Sequence, residues 1–184
     1  MKQRTTWLVL AIVMLAGAGT SEARRRRSMG GERYVANGKF GIGLELGAPF
    51  GINGKYFLTD STALNFGVGE VYDNYYDDRD GFNLYIDHLW HPLSLTNQPA
   101  FQLPFYIGVG VRLWDFDDRR DRFDDDNGLA LGIRVPIGIA FDFNRVPLDI
   151  FVQFTPVLDL ITGYDDDGIH DHLEFSIGVR YWFD

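Results

Sequence analysis

Phe105, Ile107, Val109, Val111 and Leu113 occupy every second position of one segment, with Tyr106, Gly108, Gly110, Arg112 and Trp114 between them. A period of two sends successive side chains to opposite faces of a β-strand, whereas an amphipathic helix needs a period near 3.6. The same rule runs through Leu129 to Phe141, Leu148 to Phe154 and Leu173 to Phe183. In the first half it governs Phe40 to Leu46, Ile52 to Leu58, Leu64 to Val68 and Phe82 to Ile86. That makes eight predicted strands, and no later segment carries a convincing helical stripe.

Either face of such strands can point inward. In a soluble sandwich or barrel the apolar face makes the core and the other meets water; in a membrane barrel the apolar face meets lipid and small or polar groups fill the inside. The composition of the minor face decides. It holds Gly41, Gly43, Gly67, Gly69, Gly108, Gly110, Gly132, Gly138 and Gly178, where a water-facing surface would carry Lys, Glu, Thr and Ser. Strand glycine exposed to water costs stability for no return. Inside a narrow barrel it makes room for Tyr106, Trp114, Phe151 and Trp182. The same face carries Lys55, Arg112, Arg134 and Arg180 against Glu45, Asp87, Asp149 and Glu174, an expected interior polar network in which opposite charges pair. The segments near 104–114, 129–141 and 172–183 meet the ~9–11 residues that a tilted membrane strand needs. The expected fold class is therefore all-β: a closed antiparallel eight-stranded transmembrane β-barrel of up-and-down topology. Its sequence span is 36–184.

The start of the chain is of another kind. Lys2 and Arg4 precede an apolar run from Trp7 to Ala18, and Ser21-Glu22-Ala23 offers a small-x-small cleavage site. This is the layout of a secretory signal peptide, here 1–23, and the run is short of the ~17–25 residues of a membrane-spanning helix. Residues 24–35 read as a basic, flexible segment; its Arg24, Arg25, Arg26 and Arg27 oppose translocation, which argues for a different cleavage point. Removing residues 1–23 takes away Lys2, Arg4 and Glu22, leaving 15 basic and 25 acidic residues and a net charge of −10. Such a surface does not suit nucleic acid, which demands neutralisation of phosphates. The absence of Cys excludes disulfides, thiolate metal sites and a cysteine nucleophile.

Short connections at 59–62 and 142–145, and a longer one from His91 to Ala100, alternate with acidic ones at 73–81, 115–128 and 163–171. Periplasmic turns are short and outer loops long, so both termini are expected in the periplasm; the short Gly47–Gly51 connection breaks the rule. Asp117, Asp118, Asp124, Asp125, Asp126, Asp165, Asp166 and Asp167 are candidate cation-binding residues, because carboxylates supply the oxygen ligands of Ca²⁺. No EF-hand pattern is present, and hydrated, mutually repelling loops explain the same residues. No cofactor is expected beyond weak Ca²⁺ binding. Tyr72, Tyr75, Tyr76 and Trp114 at one end, and Trp90, Tyr181, Trp182 and Phe183 at the other, outline two aromatic belts. Pro136 and Pro156 mark a bulge or a strand end, and alternation points His88 towards lipid.

The strand pattern, the export signal and the aromatic C-terminus resemble the OmpA/OmpX-like superfamily of small eight-stranded outer-membrane β-barrels. Within it, Gly51-Ile52-Asn53-Gly54-Lys55-Tyr56-Phe57-Leu58, Ala63-Leu64-Asn65-Phe66-Gly67-Val68-Gly69 and Pro147-Leu148-Asp149-Ile150-Phe151 are similar to a little-characterised bacterial family. The resemblance spans roughly residues 36–184. It implies the bacterial outer membrane, contact with outer-membrane lipids, and a C-terminal signal for the β-barrel assembly machinery in Tyr181 and Phe183, although Asp184 departs from a terminal Phe. With no further domain after the barrel, a cell-wall tether is not expected. Some such barrels are lipid A-modifying enzymes with a His-x-Ser pair, but His88, His91, His170 and His172 lack a Ser two residues on. The remaining grouping, His170, Asp171 and His172 with Ser176, puts its nucleophile on the inward face. The expectation is a monomeric, non-catalytic structural or surface-exposed protein, with a small pore, or an adhesin or cation- and lipid-binding module using the Asp-rich loops, as alternatives.

Overall fold

The computed structural model describes residues 34–73, 79–118, 127–162 and 168–183. They form β1 (Phe40–Gly47), β2 (Phe50–Phe57), β3 (Thr62–Asp73), β4 (Arg79–Asn97), β5 (Phe101–Asp118), β6 (Asn127–Arg134), β7 (Ile137–Phe143), β8 (Leu148–Thr162) and β9 (Gly168–Phe183). All pairings are antiparallel, in the order β4-β3-β2-β1-β9-β8-β6-β5-β7, with additional pairings β4–β5 and β8–β7.

This corrects the expectation of a closed eight-stranded up-and-down barrel: the described residues make one sheet of nine strands, in which β5 and β8 each pair with both β6 and β7. The extra strand arises at Val135-Pro136. Proline has no N–H to give to a ladder, so the expected strand from Leu129 to Phe141 divides there. Hydrogen bonds bridge the seam: Val135 N donates to the Pro156 carbonyl at 3.0 Å, and Gly108 N donates to the Pro136 carbonyl at 2.9 Å. Val135, expected on the apolar outer face, is fully buried at this break. Pro156 ends nothing; it stands inside β8, opposite the seam, paired with Leu173.

The strands also outrun the expected loops. β4 continues to Asn97 through register shifts between Trp90 and Leu93 and between Ser94 and Asn97, so the expected turn from His91 to Ala100 shrinks to residues 98–100. At the other end β3, β4, β5, β6 and β9 extend into 73–81, 115–128 and 163–171. The β1–β2 connection is the two residues Ala48-Pro49, joined by a cis peptide, and Gly47 precedes it at φ +117°. That left-handed backbone suits glycine, which carries no Cβ.

The two faces separate sharply. Ile42, Leu44, Ile86, Val111, Leu131, Ile150, Phe175 and Ile177 are exposed on one face, while Glu45, Lys55, Asp87, Arg112, Arg134, Asp149 and Arg180 are buried on the other. The sheet curls about that polar face, since side chains from strands that do not pair touch one another across it. Glycine makes the close approach workable: a Cβ on Gly138 would strike the Tyr106 ring, and one on Gly178 would strike Phe151. Trp114 and Trp182 are each only 4% exposed, so they belong to this interior and not to surface belts. Trp90, Tyr181 and Phe183 are outward and about half-exposed, as expected, and His88 is exposed between Leu64 and Val109 of the neighbouring strands.

Candidate functional site

The inward positions form a column of charged and polar groups. Burying a charge is costly unless it is paired and hydrogen-bonded, and most members of this column have such partners. Towards the β8–β9 connection, Arg112 of β5 donates Nε to Asp159 Oδ1 at 2.9 Å and Nη2 to Asp159 Oδ2 at 2.5 Å. Its Nη1 donates to Glu174, and the guanidinium carbon lies 4.9 Å from the centre of the Trp114 ring. The ring nitrogens of His172 face the same two carboxylates, Nδ1 at 3.4 Å from Asp159 and Nε2 at 3.7 Å from Glu174.

In the middle, Arg134 stacks on Tyr85 at 3.8 Å, with Nε 3.1 Å from Asp87 Oδ1 and Nη2 3.8 Å from Glu174 Oε2. Among the described residues Glu45 makes no close ion pair. Tyr85 and Ser176 donate their hydroxyls to it at 2.5 and 2.6 Å, and Asn53 Nδ2 donates at 3.3 Å. Asn65 Nδ2 donates to Asp87 Oδ2 at 3.1 Å.

Nearer the chain ends, Arg180 donates Nε and Nη2 to Asp149 at 3.0 and 2.9 Å and Nη1 to Asn53 at 3.0 Å, above the Phe151 ring at 4.2 Å. Lys55 also has no close carboxylate among the described residues. Its Nζ is 2.7 Å from His91 Nε2 and 4.8 and 5.1 Å from the Tyr106 and Phe57 ring centres. Tyr34, from the segment expected to be flexible, closes this end. It is 3% exposed, stacks on His91 at 5.4 Å between ring centres and donates its hydroxyl to Asp142 Oδ2 at 2.9 Å. Burial, together with the Asp142 carboxylate, raises the Tyr34 pKa well above its ordinary value.

Of the eight residues expected in the interior, all eight are buried. The structure joins Arg112 to Glu174, Arg134 to Asp87 and Arg180 to Asp149, and gives Glu45 and Lys55 neutral partners instead. Asp159 was not anticipated there, and Tyr85, Gln153 and Ser176, inward by alternation, were not assigned to the network. Asp159 had a signal, since it continues the Asp149, Phe151, Gln153, Thr155 parity beyond Pro156. Ser176 Oγ donates to Glu45, not to a histidine, so the hydrolase-like grouping does not assemble.

Of the candidate cation residues only Asp117 and Asp118 are among the described residues. The Asp117 backbone pairs with Asp80 and Asn127 and the Asp118 backbone with Arg79, while Asp124, Asp125, Asp126, Asp165, Asp166 and Asp167 lie outside the described residues. Among the described residues no group of three or more His, Cys, Asp or Glu is arranged to hold a metal ion. Tyr181 and Phe183 stand on the outward face of β9, their rings 5.0 Å apart, with Trp182 turned inward.

An antiparallel sheet with an apolar exterior and an ionic interior defines an all-β protein structurally related to outer-membrane barrels. The N-terminal β-barrel domain of Pseudomonas aeruginosa OprF is similar in fold, with a TM-score of 0.52 and 16% identity over 82% of this chain and 98% of that one. The chain belongs to the family described as "Protein of unknown function (DUF3996)", whose model matches residues 32–183. No curated protein matches it significantly in sequence.

Proposed function

We propose that this is a non-catalytic structural or surface protein of the bacterial outer membrane, crossing the bilayer with its antiparallel sheet. Residues 1–23 act as the export signal, residues 24–35 lead into the sheet, and 36–184 make up the membrane part. The carrying observation is the pairing of an exposed apolar face with a buried ionic one. In water the exposed Leu, Ile, Val and Phe side chains would form an apolar surface far beyond the few hundred Å² a soluble monomer tolerates; in lipid they are at home. The end bearing Tyr34 and Phe183 faces the periplasm, and the opposite end, where β3, β5 and β8 finish, faces outward. On β9, the outward Tyr181 and Phe183 form the C-terminal signal read by the barrel assembly machinery, and outer-membrane lipids are the main partners. The protein acts as a monomer.

A pore is the weaker reading, because Arg112, Arg134 and Arg180 with their carboxylates fill the interior. Cell fractionation followed by electrophoresis of unheated and boiled samples tests the proposal. The protein is expected in the outer-membrane fraction with a mobility that changes on boiling; a soluble periplasmic protein without that change would overturn it.

A further inference from the structure

Residues 34–39 lie outside the sheet, which takes up the chain at Phe40. Phe57 N donates to the Lys39 carbonyl at 2.9 Å, so the run from Tyr34 to Gly38 is the part that crosses the end of the interior unpaired with any strand. Tyr34 is its one buried residue, Val35 and Asn37 being exposed. The Tyr34 ring packs in a cluster with Phe57, Ala63 and Trp182, 5.8 Å from the Phe57 ring centre. The rest of the hold is at the rim: Gln102 Nε2 donates to the Val35 carbonyl at 3.1 Å and to Asn37 Oδ1 at 3.3 Å, and Asn37 Nδ2 donates to Asn144 Oδ1 at 3.0 Å. All three of these bonds are exposed.

Two effects oppose one another here. Burial of the Tyr34 ring, with its hydrogen bond to Asp142, favours the closed arrangement. His91 and Phe57, which Tyr34 covers, are themselves the neighbours of buried Lys55. Keeping that side chain from water with an imidazole and aromatic rings for company is costly, and water reaching it would lower the cost. The rim bonds weigh little in this balance, because exposed hydrogen bonds exchange with water at small net loss. Segments held by few buried contacts and by exposed bonds are the ones that open locally.

We propose that residues 34–38 form a gate on the interior: it swings about Phe40 as the Gln102 and Asn144 ties release, lifts Tyr34, and admits water to His91 and Lys55 from that end. That it opens to the periplasm rests on the membrane reading above. The arginines beyond stay paired with their carboxylates, so the open gate hydrates one end of the interior without making a pore.

The chain has no Cys, and Ala63, 0% exposed in the cluster that Tyr34 covers, is the place for a reporter thiol. Full mature protein carrying Ala63→Cys is inserted in liposomes and treated with a small charged methanethiosulfonate, and the modified fraction is followed by mass spectrometry. Modification is expected to be slow, and about tenfold faster when Gln102→Ala is added, the scale of the lost rim bonds. Gln102 holds Val35 and Asn37, not the reporter, so a fixed cap would leave the rate unmoved. Lys39 and Lys55 are the two lysines of residues 24–184, and amine acylation without the reporter thiol gives a second readout: exposed Lys39 reacts throughout, and Lys55 faster with Gln102→Ala. Rates at the thiol and at Lys55 that Gln102→Ala leaves unchanged overturn the gate. Flotation with liposomes and the boiling-dependent gel shift are read on the parent and each variant. Protein that floats and shifts with unchanged rates removes the gate alone, whereas a parent that neither floats nor shifts removes the membrane reading as well.

Discussion

Arg112 on β5 and Asp159 on β8 meet above Gly132 of β6, the residue in register with both. Their bidentate contact exists because Gly132 has no side chain: a Cβ there would strike Asp159 Oδ1 and crowd Arg112 Cγ. A glycine on the middle strand thus lets an ion pair reach across three strands.

Breaking that pair strands a buried charge. Asp159→Leu is expected to destabilise the protein by ~3–5 kcal/mol, and Gly132→Val by ~1–3 kcal/mol through overpacking. Arg112→Met is expected to cost at least as much as Asp159→Leu, since it removes a partner of both Asp159 and Glu174. Denaturant unfolding in lipid vesicles measures all three.

Charge on the outward face reports the surrounding solvent. Leu131 is 56% exposed, and in water an exposed Leu→Arg change is close to neutral, within about 0.5 kcal/mol. Leu131→Arg or Ile177→Arg is expected instead to cost ~2–4 kcal/mol near the bilayer midplane. Equilibrium unfolding in vesicles, with the variants compared against the parent, decides between the two environments.

The Tyr34 contact has a defined pH window. The hydroxyl's pKa is raised in the folded protein above the unfolded value of 10.0. The stability it contributes is therefore complete below about pH 10 and is lost as pH rises through the folded value. Alkaline titration of stability should show this component in the parent and not in Tyr34→Phe. At neutral pH that change should cost ~0.5–1.5 kcal/mol, the worth of one hydrogen bond.

Conductance tests the filled interior. With three arginines and their carboxylates spaced along it, the protein is expected to be silent in planar bilayers. Stable single-channel steps that change in Arg134→Ala would show that the column leaves an ion path.

Much of the interior was legible in the residues. Arg112, Arg134, Arg180, Asp87 and Glu174 could be assigned inward because parity is a local property, carried by each strand independently of its neighbours. Asp159 escaped because Pro156 looked like a strand end; the proline is accommodated because it stands opposite the seam at Val135-Pro136. Trp114 and Trp182 were read both into the interior, from their parity with Arg112 and Arg180, and into belts, from their nearness to strand ends; their burial keeps the first reading and removes the second.

Alternation along the chain was enough to settle which side chains share a face, since each Cβ direction follows from its own backbone. Nothing in that local pattern could set the number of strands or the choice of ionic partners. Those came from register: β5 and β8 had to lie on either side of β6 and β7 before the Pro136 seam could be bridged, and before Arg112 could reach Asp159 as well as Glu174.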